Sequence, residues 1–302
     1  VQANLSLRFA GHSDRMFFGC DYSKMDQHFN YYHAMECFDV IRCFFKKEYW
    51  QDLERSIFYT FYCPVVAPDY LIVGPHAMPS GSGWTNFLET IFNFILVQYL
   101  RIHYGFRILD AMGIGDDQLY LMNYGSERLD ALARKVTFIF QSVGLDANPE
   151  KQEVSRQVAS FLQRRSWSWY HPRLRHLGLN SWDNELLGVY PTVRALTSEI
   201  FPEYYHNDKN WDKRTFALRC LMILENCSNH PLFEKFCIFI AEGNDNIREF
   251  VVSDDAEIIL TRQRSKKIAN FLPTYNQAKI DENPLKFKSL QVLRAYYGKK
   301  TQ

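Results

Sequence analysis

Three short stretches of this chain carry residues whose types and spacing suit work on phosphates. Asp21-Tyr22-Ser23-Lys24-Met25-Asp26 holds two carboxylates with four residues between them. Pro79-Ser80-Gly81-Ser82-Gly83-Trp84-Thr85 leads into a segment that carries Asn93, and Gly115-Asp116-Asp117 is the third. Singly, each is ordinary. Gly and Asp tolerate turn geometry, so Gly-Asp-Asp alone is more often a turn than a site. Ser-Gly-Ser-Gly alone is a flexible loop, and a pair of Asp residues is usually surface charge. Together they fit one chemistry. Nucleotidyl transfer is electrostatic: two magnesium ions about 4 Å apart activate the attacking hydroxyl and neutralise charge on the leaving group. Magnesium prefers oxygen ligands in near-octahedral geometry. Such a site needs carboxylates from at least two chain segments, held by neighbouring strands.

The elements that would hold them can be read from the pattern. Met16–Cys20 is an apolar run ending in acid, which predicts a buried strand presenting Asp21 at its C-terminal end. Arg107–Met112 and Gln118–Met122 predict two strands joined by the tight turn Gly113-Ile114-Gly115-Asp116-Asp117, a hairpin. Both acids then sit at strand ends in apolar sequence, where an unpaired charge is costly without a cation. Apolar spacing predicts one or two amphipathic helices between Phe29 and Phe61. Further helices are expected over Thr85–Tyr99 and over Glu127–Val143, the latter stopped by Gly144. Tyr70–Val73 predicts a short strand and Glu153–Leu162 a strand pair. Beyond Pro191 the pattern turns helical, over Trp211–Cys227, Pro231–Glu242 and Asp254–Phe271. The expected organisation is an α+β domain over residues 1–187 and a mostly helical domain over 188–302.

Bulk properties set outer bounds. The 302 residues are 47% hydrophobic and 16% aromatic, enough for a sizeable core and unlike a disordered chain. Formal net charge is +1, but its distribution is uneven. Thr261–Gln302 holds ten Lys or Arg against Asp281 and Glu282, whereas the first 260 residues carry 25 basic and 32 acidic side chains, a net −7. A basic stretch on an acidic body suits a nucleic-acid contact and equally suits a solvated helical face. The seven cysteines are odd in number and have no CxxC spacing, so neither a disulfide framework nor a zinc site is expected, and a reducing compartment is. The longest apolar run, Phe87–Leu100, contains Glu89, Asn93 and Gln98 and falls short of the roughly 20 residues a bilayer span needs. No membrane partner is expected.

In order and spacing, the three stretches resemble the palm of viral RNA-dependent RNA polymerases. Asp21…Asp26 looks like motif A, Ser80-Gly81…Thr85 like motif B, and Gly115-Asp116-Asp117 like motif C. Gly144-Leu145…Asn148…Lys151 is similar to motif D, and Phe161-Leu162-Gln163-Arg164-Arg165 to the primer-grip motif E. The form of motif B, with Asn eight residues after the Thr, is closest to the partitivirus and picobirnavirus group. The resemblance covers about residues 12–170.

It implies a palm, an antiparallel sheet with packed helices, followed by a helical thumb. Asp21 and Asp116 would ligate Mg2+, with Mn2+ as a substitute, and Asp117 would support or ligate. Asp26 would recognise the ribose of the incoming nucleotide. Ser80 and Gly81 would form a loop that adjusts to it, while Thr85 and Asn93 would hold the sugar-recognition network. Lys151 would donate a proton to the departing pyrophosphate, with Lys135 and Lys24 as competitors. Arg164 and Arg165 would contact RNA, as would the aromatics Trp167, Trp169, Tyr170 and Trp182 interleaved with Arg173 and Arg175, unless those rings form a core. The ordinary alternative for Asp26 is an N-cap of the helix beginning near Phe29. One departure stands out: many relatives have Asn four residues after the motif B Thr, where this chain has Glu89.

The implied partners are an RNA template and product strand and ribonucleoside triphosphates, with a viral capsid protein as a further candidate. The implied location is the virion or the host cytoplasm. A reverse transcriptase shares the palm but typically sets a bulky aromatic where Asp26 stands. An inactive palm serving as an RNA-binding module would not need intact Asp21, Asp116 and Asp117. Only 20 residues precede Asp21, so the fingers are expected to be largely absent from these 302 residues, and the chain alone is expected to extend RNA inefficiently.

Overall fold

Strand β1, Arg15–Cys20, is the second strand from one edge of a four-stranded sheet and the element on which the first half of the chain is built. The computed structural model describes residues 15–123, 128–167, 188–204, 206, 211–273, 276 and 280–300. Trp169, Tyr170, Trp182, Arg173 and Arg175 lie outside the described residues. Contacts divide the chain into two compact units, one ending at Leu162 and the other running from Gln163 to the C-terminus.

In the first unit the chain passes from β1 through α1 (Met25–His28), α2 (Tyr31–Ile41) and α3 (Trp50–Tyr62) to a small hairpin, β2 (Val65–Val66) and β3 (Leu71–Ile72). Then come α4 (Thr85–Tyr104), β4 (Arg107–Ile114), β5 (Asp117–Asn123), α5 (Leu129–Ser142), β6 (Glu153–Ser155) and β7 (Val158–Phe161). The sheet order is β4-β5-β1-β6, antiparallel throughout. Met16, Phe18, Tyr120 and Met122 pack on helices α2 to α5 through Cys37, Phe38, Phe61, Leu88, Phe92, Val136 and Phe140. Phe17, Leu119 and Leu121, which point to the opposite face, are buried as well. Burial on both faces explains why β1 reads as a continuous apolar run rather than an alternating one.

The expected strand pair over Glu153–Leu162 does not form. β6 pairs instead with the open edge of β1, through Phe17↔Ser155, Phe18↔Val154 and Gly19↔Glu153. The edge of an already folded strand offers unpaired N–H and C=O groups, and a three-residue segment gains more there than in an isolated hairpin. Helix α4 runs five residues beyond the predicted Tyr99 and stops at Gly105, whose φ of 68° closes it as a left-handed cap. The N-cap of α2 is Asn30, in a capping box with His33, so Asp26 does not cap that helix.

The second unit begins with β8 (Arg164–Trp167) and continues as helices: α6 (Thr192–Ile200), α7 (Lys213–Leu224), α8 (Phe233–Glu242), α9 (Asp245–Val251), α10 (Asp255–Ser265) and α11 (Lys288–Lys300). Nearly all of α7 is buried, including Arg219, whose guanidinium donates to the carbonyls of Phe271 (3.1 Å) and Ser198 (2.9 Å). Of these helices, α6 and α9 were not anticipated from the sequence, while α11 falls in the C-terminal basic stretch whose pattern suits a helical face. No helix among the described residues is long and apolar enough to cross a membrane.

Candidate active site

The register of β1 on β5 decides where the carboxylates go. Cys20 is the partner of Gln118, so Asp21 leaves the end of β1 next to the start of β5, and its charge acts on Asp117. On the other side of β5, Ile114 pairs with Asp117, which leaves Gly115 and Asp116 as a two-residue hairpin turn. Gly115 takes φ 56°, the conformation that such turns require and that favours glycine. Its peptide is fastened from α4: the Gly115 N–H donates to Thr90 Oγ1 at 2.7 Å, and the Asn93 amide donates to the Gly115 carbonyl. The turn that presents Asp116 is therefore held by two side chains one helical turn apart.

Asp21 and Asp116 are exposed and Asp117 is half-buried. Burial raises the Asp117 pKa above the usual carboxylate value. The Leu162 N–H, donating to its Oδ2 at 2.8 Å, works against that, and the charges of Asp116 and Asp21 add to it. The three acids thus share one field at one end of the two central strands. Beneath them lies a buried polar cluster. The Gln118 amide donates to the Tyr22 hydroxyl at 3.0 Å, the Tyr120 hydroxyl donates to the Gln118 carbonyl oxygen, and Cys20 adjoins both tyrosines. The Asp21 backbone is clamped in turn by Gln152, whose amide donates to the Asp21 carbonyl at 2.9 Å and accepts from its N–H at 3.3 Å.

A cleft of about 550 Å³ opens beside this end, walled by Asp26, Ser80, Thr85, Asn86, Glu89 and Asp116 among others. Ser80 donates its hydroxyl proton to Asp26 Oδ2. The Met78 N–H bonds the carbonyls of Asp26 and Phe29, both at 3.0 Å, tying motif A to the approach of motif B. Thr85 donates to the Pro79 carbonyl at 3.0 Å, and Gly81 has φ 87° with open space around it. Residues 85, 89 and 93 do share a helical face: Glu89 is 3% exposed and Asn93 1%. Among the described residues, no group of three or more His, Cys, Asp or Glu side chains is gathered closely enough to hold a metal ion.

A model of the family described as viral RNA-dependent RNA polymerase matches residues 7–177. The chain belongs to that family. Over 227 residues it is 31% identical to a potential RNA-dependent RNA polymerase of a human picobirnavirus (strain Human/Thailand/Hy005102/-), an alignment covering 74% of this chain and 40% of that protein. It is similar to the crystal structure of the RNA-dependent RNA polymerase of a human picobirnavirus, with a TM-score of 0.77 and 26% identity over 97% of this chain and 53% of that one. An insertion-loop deletion mutant of a human picobirnavirus polymerase gives a TM-score of 0.76 at 25% identity, over 98% and 52%. The chain spans about half the length of these relatives.

The segments at Tyr22 and Ala147 meet through the Tyr22↔Ala147 bridge and the Ser23 N–H bond to the Asp146 carbonyl at 2.8 Å. That brings Lys151 Nζ to 3.3 Å from Ser23 Oγ, two residues from Asp21. Lys24 lines the cleft, while the Lys135 ammonium lies over the Phe106 ring, 5.1 Å from its centroid. In the second unit, Arg164 turns inward. Its guanidinium donates to the carbonyls of Gly188 (3.3 Å) and Asn226 (3.2 Å) and stacks over Tyr190. Arg165 has an exposed side chain, and its backbone pairs with Val189. Sequence reasoning missed Thr90, Gln152 and Gln118. Thr90 lies within α4, Gln118 within β5 and Gln152 in the link before β6, and only the assembled strands and helix show what each bonds.

Proposed function

We propose that the chain carries the palm and thumb of a polymerase that performs RNA-templated nucleotidyl transfer from ribonucleoside triphosphates. The observation that supports this most is the β1–β5 register, which brings Asp21 next to the start of β5, where the Gly115 turn presents Asp116. These carboxylates suit magnesium. It takes only oxygen ligands, keeps several waters and binds substrate phosphates, so it does not need a closed protein cage. Asp21 and Asp116, with Asp117 in support, would hold two such ions, which activate the attacking hydroxyl and neutralise the leaving group.

The chain's own residues do the rest. Asp26, held by Ser80, accepts a hydrogen bond from the ribose. Ser80 and Gly81 line the nucleotide cleft, and the open space around Gly81 leaves that loop room to adjust. Thr85 braces the loop from the start of α4. Asn93 acts at one remove, by fixing the peptide of the metal-bearing turn. Lys151 stands by Ser23 as the proton donor to pyrophosphate. Arg165, with Arg164 anchored behind it, faces RNA from the second unit. The test is incorporation of labelled ribonucleotide on an RNA template with Mg2+, with and without chelator. Template-dependent, chelator-sensitive extension supports the reading. Preferential use of deoxyribonucleotides points to a reverse transcriptase, and RNA binding without incorporation points to a binding module.

A further inference from the structure

On the β6 side, the ladder along β1 breaks just where Asp21 stands. Pairing runs as far as Gly19↔Glu153 and resumes only at the Tyr22↔Ala147 bridge. Cys20 and Asp21 therefore face the longer run 148–152. Its surplus is taken up by a tight 3-10 turn, Pro149–Lys151, capped at its start by the Asn148 side chain. Backbone that turns away cannot continue a ladder, so the peptide groups of Asp21 need a partner of another kind.

The side chain of Gln152 supplies it. Its Oε1 accepts from the Asp21 N–H at 3.3 Å, and its Nε2 donates to the Asp21 carbonyl at 2.9 Å. Nε2 also donates to the Asn148 carbonyl at 3.1 Å, at the base of the turn that carries Lys151. Gln152 is 8% exposed, so these bonds form largely away from water, where they are stronger. Turning the amide over would set its N–H groups against the Asp21 N–H and its oxygen against two carbonyls, so only this orientation is bonded. A carboxylate only accepts and an ammonium only donates; an amide does both in one plane, as a neighbouring strand would. The Gln152 amide is thus spent on backbone, and it acts through Asp21 rather than on metal or substrate. We propose that Gln152 is a positioning residue for metal capture: its side chain replaces the absent strand, fixes the peptide from which the Asp21 carboxylate hangs, and ties that peptide to the Lys151 turn. This rests on the reading of Asp21 as a metal ligand given under Proposed function.

The experiment is Mn2+ binding to the purified protein, followed by electron paramagnetic resonance, with amide hydrogen exchange measured on the same samples. Neither needs turnover. Wild type is expected to bind Mn2+, and Asp21→Asn to lose most of that affinity. Gln152→Met keeps the length of the side chain and removes its bonds. It should raise the Mn2+ Kd by about tenfold or more, the usual effect of losing a group that orients a metal ligand. It should also speed exchange of the Asp21 N–H while the amides of Phe17–Gly19 stay protected. Gln141→Met is the control: the Gln141 amide donates to the Ala147 carbonyl at 2.8 Å, so it braces the same loop without touching Asp21. Its Mn2+ Kd should match wild type. If Gln152→Met does not fold, Gln152→Asn serves, since it keeps the amide but is one methylene too short to span its partners, and it should weaken Mn2+ binding as Met does. A wild-type Kd in the folded Gln152 variant overturns the proposal. So does an equal loss in Gln141→Met, which would make Gln152 one brace of the loop among others. If wild type does not bind Mn2+, or Asp21→Asn binds it as tightly, the metal reading of Asp21 has failed instead and the proposal falls with it.

Discussion

At the scale of single residues, the spacing of acids in the chain singled out the candidate chemical actors, and their surroundings separate them. Asp21 and Asp116 stand exposed at one end of the central strands, Asp117 is half-buried on the Leu162 amide, and Asp26 is held on the cleft wall. The lysines separate in the same way. Lys151 is beside Ser23, within motif A, whereas Lys135 lies over the Phe106 ring. A general acid contributes roughly 10²–10⁴-fold to rate. Lys151→Leu should therefore slow single-nucleotide incorporation by at least tenfold and flatten its pH profile, while Lys135→Leu should match wild type. Pre-steady-state rates across pH check this, and the reverse outcome would assign the role to Lys135.

A second prediction at this scale concerns stability. Glu199, in α6, is 6% exposed, and burial pushes its pKa up to about 8, with Arg219 nearby pulling the other way. Between its ordinary value near 4.5 and about 8, the folded state holds a proton that the unfolded state has lost. Stability from this group is therefore full below pH 4.5 and falls as pH rises towards 8. Glu199→Gln should remove that slope and stabilise the protein by about 1–3 kcal/mol at pH 7 to 8 relative to wild type, with little effect near pH 4.5. Denaturant titrations at several pH values measure it; an unchanged slope in the variant would mean that Glu199 ionises freely in the fold.

At the scale of elements, what was legible depended on whether a signal was local. β1 was legible because a strand buried on both faces must be apolar throughout, and the β4–β5 hairpin because Gly115 and Asp116 are turn residues between apolar runs. The place of β6 was not, because a three-residue strand is decided by the neighbour whose edge it completes. Helix α9 has only seven residues, too few for a period to show. Helix α11 hides Leu290, Leu293 and Tyr297 at helical spacing inside a stretch where basic residues dominate. Within the site, the link from Ser80 to Asp26 and those from Thr90 and Asn93 to Gly115 join residues 22 to 54 positions apart, and no local pattern encodes them. The turn gives a test. Gly115→Ala meets a φ of 56° and brings a methyl 3.1 Å from the Asn86 amide. It should cost about 1–2 kcal/mol and displace Asp116. Denaturation and activity measured together check this. A variant with full stability and full activity would show that the turn is not held as described.

At the scale of the whole molecule, the family model matches residues 7–177, and the likeness to a picobirnavirus polymerase structure spans 97% of the chain. The first unit also carries an apolar surface that its own core does not absorb. In and beside the β2–β3 hairpin, Val66 is 81% exposed, Val73 72% and Tyr70 64%. The pairing of Val66 with Leu71 makes this patch continuous. Contiguous exposed apolar area of this kind promotes association. The 302-residue chain should therefore self-associate with rising concentration, and Val66→Lys combined with Val73→Lys should reduce that without lowering the melting temperature. Light scattering across a concentration series decides it, and equal association in the double variant would place the sticky surface elsewhere.

The central claim is that the acids where β1 ends and β5 begins perform metal-dependent nucleotide transfer on an RNA template, and one substitution reaches it most directly. Asp116→Asn keeps the size and turn propensity of the residue while removing one metal-binding oxygen's charge. Transition-state stabilisation should fall by about 3 kcal/mol or more, at least a ~100-fold loss in rate. The measurement is Mg2+-dependent incorporation of ribonucleotide on an RNA template by wild type and by Asp116→Asn, with circular dichroism and melting temperature recorded on both. The account expects a folded variant with wild-type melting and at least ~100-fold slower incorporation. A folded Asp116→Asn protein that turns over at a near-normal rate would contradict it.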